Sequence, residues 1–277
     1  MKTRVSLIAA VIFVLLSLMT ASLPAQEKLS GTEYVPEIGQ RGKDVVWVPT
    51  PQELVDKMLE IAKVTSNDFV IDLGSGDGRT VITAAKIGAR ALGVEYNSDM
   101  VALSKENARK EGIGEKAEFI QADLYETDLS KATVITMFLL PEINLKLRPR
   151  LLDLKPGTRI VSNTFNMADW KSDYEVTTEE NWNSWNTAYL WIVPAKVGGT
   201  WKLGNGELIL NQEFQFVSGT FNSGGKSYSV TDGRLSGYSF SFTIDNEKYS
   251  GTVGDKEIIG TVTNAGTGSK SDWFATQ

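Results

Sequence analysis

The chain has 277 residues, 42% of them hydrophobic, with no Cys, no His and a formal net charge of -6. That length suits one large or two small globular domains. The missing His and Cys exclude the usual zinc sites, Cys-His and Ser-His-Asp machinery, and disulfides. Chemistry therefore falls to carboxylates, amides, Tyr, Lys or a cofactor that is reactive by itself, and no metal site is expected. The negative charge falls mainly within residues 27–195, and no basic run offers the face a nucleic acid needs, so DNA and RNA are not expected partners.

Residues 1–25 read as a signal peptide or membrane anchor. "MKTR" is a basic head, Val5 to Met19 is an uncharged apolar run, and "TASLPAQ" offers a cut after Ala25. Export to the periplasm or cell envelope is expected. Inner-membrane anchoring is the alternative, with membrane association through the apolar segment, although the run is short for a full span. Residues 26–46 are polar and contain Gly and Pro, and they read as an irregular lead-in to a domain spanning 47–195.

That domain opens on "VPTPQELVDKMLEIAKV", a helix with Thr50 as cap, Pro51 at its first position and Glu53 closing a capping box. "DFVIDL" predicts a strand, and "GRTVITAAKIG" a helix stopping near Gly88. "RALGVEYN" is a second strand, and "SDMVALSKENARKEGI" a helix capped by Asn97 or Ser98. "AEFIQADL" and "ATVITMFLL" add two strands. "PEINLKLRPRLLDLKPG" is helical, with Pro149 expected to break or kink it. "TRIVSNTF" is a fifth strand, and "YEVTTEENWNSWNTAYLWIVP" gives two more around a Trp-rich turn. This alternation specifies an α/β, Rossmann-like doubly wound sheet, which binds ligands at the carboxyl ends of its strands. Gly74 to Gly78, Glu95, Asp123 and Pro141 all fall at such ends. Residues 196–277 differ: they hold 14 of the 25 glycines and alternate apolar with polar residues. They predict a small all-β domain, an antiparallel sandwich or barrel of roughly six to eight strands.

The stretch "FVIDLGSGDGRTVITAA", Phe69 to Ala85, carries the functional signal. Its glycines alternate as G-x-G-x-G, unlike the G-x-G-x-x-G of a dinucleotide loop. Glu95, about 20 residues on, sits where an acid takes ribose hydroxyls. Asp72 and Asp77 flank the loop, and their charge would oppose a diphosphate. It would suit a cofactor with an amino group and a sulfonium.

"DLGSGDG", Glu95 and "QAD" resemble the cofactor motifs of the class I, seven-β-strand S-adenosylmethionine-dependent methyltransferases. "VWVPTPQELVDKML", "TMFLLPEINLKLRPRLL" and "GTRIVSNTFNMADW" resemble the archaeal and mitochondrial-type protein-lysine branch. The resemblance spans most of residues 45–195. It implies transfer of a methyl group from S-adenosyl-L-methionine to an amine, a protein lysine before a small-molecule amine. Asp72 and the backbone of Gly74 and Gly76 would hold the methionine part, with Ser75 in the same cofactor loop and Gly76 and Gly78 letting the backbone approach, and Glu95 would take the ribose. Tyr96, Asp123 and Leu124 would meet the adenine. The loop from Phe138 through Leu140, Pro141 and Glu142 falls at the catalytic position after strand four. Thr50 and Pro51 are placed to close over the cofactor.

Several residues keep two readings. Glu142 and Tyr96 either help deprotonate or orient the amine, or serve as a helix-start acid and a packing ring. Trp170, Trp182, Trp185 and Trp191 form either an aromatic substrate slot or core packing. Asn163 and Asn166 either touch substrate or make a turn. "KLRPR", Lys146 to Arg150, reads as a solvated helix face. A non-enzymatic alternative is an exported binding protein that retains the methyltransferase fold.

Overall fold

The computed structural model describes residues 34–179 and 185–277, so the leader segment 1–25 and Trp182 lie outside the described residues. The α/β domain contains β1 (Phe69–Leu73), β2 (Arg90–Glu95), β3 (Ala117–Gln121), β4 (Val134–Met137) and β5 (Arg159–Asn163). It closes with β6 (Tyr174–Thr177) and β7 (Thr187–Ile192). The sheet order is β3-β2-β1-β4-β5-β7-β6. The first five strands run parallel, and β7 is antiparallel to both neighbours. β1 and β4 are mainly apolar because both faces are covered, as parallel strands require, and the exceptions are Asp72 and Thr136.

Helices α1 (Gln52–Ile61), α2 (Arg79–Ile87) and α3 (Ser98–Lys110) pack with Val70 and Val134 on one face. Helix α4 (Pro141–Leu152) packs with Ile71, Leu73 and Ile135 on the other. Leu54 and Leu59 are almost wholly buried, each stabilising the fold by about 1.5–3 kcal/mol. Asn97 caps α3, its side chain accepting from the Asp99 and Met100 amides, and Gly88 ends α2 at a φ of 110°. Among the described residues, no helix is long and apolar enough to cross a membrane.

Three local expectations change. Thr50 does not cap α1: the helix starts after Pro51 without a side-chain cap, and the Thr50 hydroxyl accepts from Asn163 Nδ2 at 3.2 Å. A tertiary bond to the end of β5 has displaced the local one. Helix α4 continues through Pro149 to Leu152. The KLRPR segment is also less solvated than its charge suggests. Lys146 lies 3.7 Å over the Tyr125 ring, and Arg148 donates to the Met167 carbonyl at 3.0 Å. Arg150 ties down the carbonyls of Tyr125 and Thr127.

The second domain is a closed eight-stranded barrel: β8 (Gly199–Leu203), β9 (Gly206–Glu213), β10 (Phe216–Ser223), β11 (Lys226–Ser236), β12 (Ser239–Ile244), β13 (Glu247–Val253), β14 (Glu257–Asn264) and β15 (Lys270–Thr276). Inward-facing rings fill it, as expected for a barrel of this size. Phe242 stacks on Tyr249 at 4.7 Å and meets the edge of Trp273 at 5.5 Å. Burial and a 2.7 Å bond to Glu247 push the Tyr249 phenol upward.

The β9–β10 turn plugs into the α/β domain. Phe214 stacks on Trp170 at 5.9 Å, and Gln215 donates to the Lys171 carbonyl at 2.6 Å. Arg234 pairs with Asp173 at 2.6 Å. Trp170 and Trp191 are fully buried, with Trp191 Nε1 donating to the Trp170 carbonyl at 2.8 Å. Both are core residues.

Candidate active site

A cavity of about 200 Å³ opens at the carboxyl ends of β1, β2, β4 and β5. Its floor is the turn from β1 into α2. Gly76 has a φ of 55°, and a Cβ there would lie 2.6 Å from Trp47 Nε1. Only glycine admits both that backbone conformation and that contact. The Gly74 and Ser75 amides donate to the Val94 carbonyl at 2.9 and 3.1 Å, so the turn is anchored to β2. Ser75 Oγ is buried without a hydrogen-bond partner.

Three carboxylates stand at three strand ends. Asp72, on β1, accepts from Thr136 Oγ1 of β4 at 2.7 Å. Glu95, at the end of β2, accepts from the Gly76 amide at 3.0 Å and the Asn97 amide at 2.9 Å. Those bonds fix its carboxylate plane beside the loop. Asp123, beyond β3, accepts from Lys43 at 2.6 Å and from the Tyr125 amide at 2.8 Å. The Lys43 bond holds the Asp123 carboxyl below its usual range. Tyr96 and Leu124 also line this end, and Lys43 lies 4.8 Å from the Tyr96 ring centre.

At the opposite end the walls are apolar. Phe138 and Leu140 line the cavity, joined by Phe165 and Trp185. Pro141 and Glu142 do not reach it: Pro141 opens α4, and Glu142 is exposed in the first helical turn. Asn163 is buried in its bond to Thr50, while Asn166 accepts from the Ala168 amide in a turn.

Residues 72–174 match the model of the ANTKMT methyltransferase domain. A protein-lysine N-methyltransferase of Saccharolobus islandicus (strain REY15A) is 45% identical over 152 residues, covering 54% of this chain and 94% of that protein. The chain belongs to the S-adenosylmethionine-dependent protein-lysine methyltransferase family. The methyltransferase is also 34% identical to the adenine nucleotide translocase lysine N-methyltransferase of Mus musculus, over 37% of this chain and 45% of that one. Among solved structures, it is similar to an RNA methyltransferase from Salinibacter ruber in complex with S-adenosyl-L-homocysteine. Identity there is 47% and the TM-score 0.51, covering 54% of this chain and 96% of that chain.

The cleft of the methyltransferase fits S-adenosylmethionine on its own features. The glycine turn leaves no room for a side chain at Gly76, and Ser75 Oγ awaits a partner. Glu95 keeps lone pairs for hydroxyl donors. One part of the charge argument changes: Asp77 is paired with Arg79 at 2.6 Å, and Arg79 also donates to the Thr50 carbonyl at 2.9 Å. Asp77 is thus a brace for the loop, and the unpaired acid in the floor is Asp72. Burial first, then the nearby charges of Glu95 and Asp77, raise the Asp72 carboxyl to about 7, against the bonds from Thr136 and Thr80.

Sequence reasoning missed Lys43, Trp47 and Phe165. Residues 39–46, expected to be irregular, join Trp47 to form a strap. Gly39 and Trp47 are joined amide to carbonyl at 2.8 Å, as are Trp47 and Gln40 at 2.9 Å. The strap brings Lys43 and Trp47 onto the cleft.

Proposed function

We propose that the chain methylates the ε-amine of protein lysines. The observation that carries this reading is the division of the cleft into an acid-rich end and an apolar, aromatic end that contains no His or Cys. Asp72 takes the α-amino group of the cofactor, with the Gly74–Gly76 backbone around its carboxylate. Glu95 takes the ribose hydroxyls. Asp123 and Leu124 meet the adenine, Asp123 through lone pairs that Lys43 and Tyr125 leave open. When bound, S-adenosylmethionine supplies an electrophilic methyl group on a positively charged sulfur. The protein then has to align a neutral amine and exclude water. Phe138 and Leu140 do this by lining the cavity with apolar surface that excludes water.

The acidic chain favours a basic, lysine-bearing segment over RNA, whose phosphates it would repel. The test offers the purified chain S-adenosylmethionine with a lysine-rich protein and, separately, with total RNA. Methyl groups located on lysine by mass spectrometry support the reading. Methylation of RNA alone overturns it. We also propose export, supported by the pattern of residues 1–25. An alkaline phosphatase fusion that stays inactive in the periplasmic assay would reject it.

A further inference from the structure

The backbone just beyond β5 is strained where it enters the cavity. Thr164 has a φ of 63°, and the Phe165 amide donates to the Asn163 carbonyl at 2.7 Å. That is a γ-turn of the rare, strained hand. Neighbours hold it in place. The Thr164 amide donates to the Thr187 carbonyl of β7 at 2.7 Å. The Phe165 carbonyl accepts from Ser162 Oγ at 2.7 Å and from Asn144 Nδ2 at 3.0 Å. Ser162 and Asn144 are fully buried, and Asn144 Oδ1 has no partner. Strain and an unpaired buried oxygen both weigh against stability, and both occur where Phe165 is aimed.

The turn directs the Phe165 ring into the cavity. It stacks on Phe138 at 6.1 Å with the planes 23° apart, and Trp185 meets Phe138 edge-on at 6.1 Å. The three rings come from three separate segments. All are half-buried, unlike the fully buried Trp170 and Trp191, so each keeps accessible aromatic surface. Aromatic faces of this kind accept the alkyl stem and the cationic head of an alkylammonium.

We propose that Phe165, with Phe138 and Trp185, forms a slot that receives the acceptor's side chain, and that Phe165 is the residue setting its selectivity for an alkylammonium. The inference rests on the lysine reading above. Ser162 and Asn144 are positioning residues that act through the Phe165 carbonyl.

The test uses the full chain with poly-L-lysine as acceptor, comparing wild type with Phe165→Ala, Phe165→Leu and Phe165→Tyr. KM for poly-L-lysine should rise about tenfold or more in Phe165→Ala and Phe165→Leu, and Phe165→Tyr should restore it. The Kd for S-adenosylhomocysteine should change less than about twofold in all three, which also reports that the fold is kept. A Phe165→Leu variant equal to wild type would mean that only apolar packing matters and would overturn the slot. So would loss of S-adenosylhomocysteine binding with the acceptor KM unchanged. If wild type leaves poly-L-lysine unmethylated, the lysine reading fails by itself. Titration of the S-adenosylhomocysteine-loaded chain with n-butylammonium then decides the slot: weaker binding by Phe165→Ala supports it, and equal binding overturns it.

Discussion

Cofactor binding should release a proton from Asp72, and its surroundings set the amount. Its carboxyl is raised to about 7, chiefly by burial, with Glu95 and Asp77 adding to the effect. In the binding mode proposed above, the cofactor's α-ammonium lies beside it and favours the ionised form. At pH 6 the free chain therefore holds about 0.9 of a proton on Asp72, which binding expels; at pH 8 only about 0.1 remains. If only the carboxylate binds the ammonium, the protein's share of the affinity falls about tenfold from pH 8 to pH 6, and the fuller charging of the ligand at pH 6 offsets part of it, leaving a net fall of about three- to fivefold, or ~0.8 kcal/mol. The ligand's own α-amino group, near ~7.7–8.0, is fully charged at pH 6, so the release measured there belongs to the protein. Calorimetry of S-adenosylhomocysteine binding at pH 6, in buffers of different ionisation enthalpy, counts the proton. No release at pH 6 would refute the reasoning, and Asp72→Asn should release none. The same shift acts on stability. Because the folded carboxyl is raised above its unfolded value of 3.8, the contribution of the bound proton is complete below that value and is lost as pH rises through about 7. The ligand-free chain should thus lose stability between pH 4 and pH 8, and Asp72→Asn should melt higher than wild type at pH 8.

Other perturbations test the frame around the cleft. In Gly78→Ala, a Cβ at a φ of 85° would sit 2.8 Å from the Phe119 ring and 2.9 Å from Ser104 Cβ. Backbone strain and overpacking together should cost about 2–5 kcal/mol, read by urea unfolding. Trp47→Ala removes the ring lying over Gly76, and S-adenosylhomocysteine affinity measured by calorimetry should fall about tenfold. Arg234→Met leaves Asp173 with the Ile192 amide as its remaining donor at 2.8 Å. Denaturant melts should show a loss of about 1–3 kcal/mol, while S-adenosylhomocysteine affinity stays within about twofold.

The parts of this structure that were legible in the sequence are those whose cause is local. Asn97 caps a helix with its own side chain, Gly88 stops one with its own backbone, and "FVIDL" is apolar at every position but Asp72 because a parallel strand is covered on both faces. Asp72, Glu95 and Asp123 were visible because strand ends and acids coincide. What stayed hidden depends on distant partners. The strap is polar and short, and Lys43 finds Asp123 across 80 residues. Thr50 and Asn163, separated by 113 positions, bond to each other, so a capping signal and a turn signal were both absorbed by one tertiary contact. Pro149 reads as a break, because its ring removes one amide bond and crowds the Leu145 carbonyl, yet α4 runs on to Leu152 with the Leu145 side exposed to water. Phe165 was concealed between two polar turn residues, and only the γ-turn reveals where its ring points.

The barrel sits where it can affect the acceptor end without touching the cofactor. Its contacts fall at the amino edge of the sheet. Gly237 lies against Gly157 ahead of β5, Arg234 binds Asp173 ahead of β6, and Lys196 pairs with Asp153 at 2.7 Å after α4. The cavity lies at the carboxyl edge, one strand length away, which is about 17 Å for a strand of this size. The β6–β7 pair joins the two edges. At its root, Asp173 accepts from both Arg234 of the barrel and the Ile192 amide. At its far end Thr177 pairs with Thr187, whose carbonyl receives the Thr164 amide and so braces the γ-turn that aims Phe165. Trp185 stands two residues before that carbonyl, against Phe138. The barrel therefore grips one end of the hairpin that at its other end carries Trp185 and braces the turn holding Phe165. Edge strand β6, with β7 as its one neighbour in the sheet, is thereby tied to the barrel at its root through Asp173.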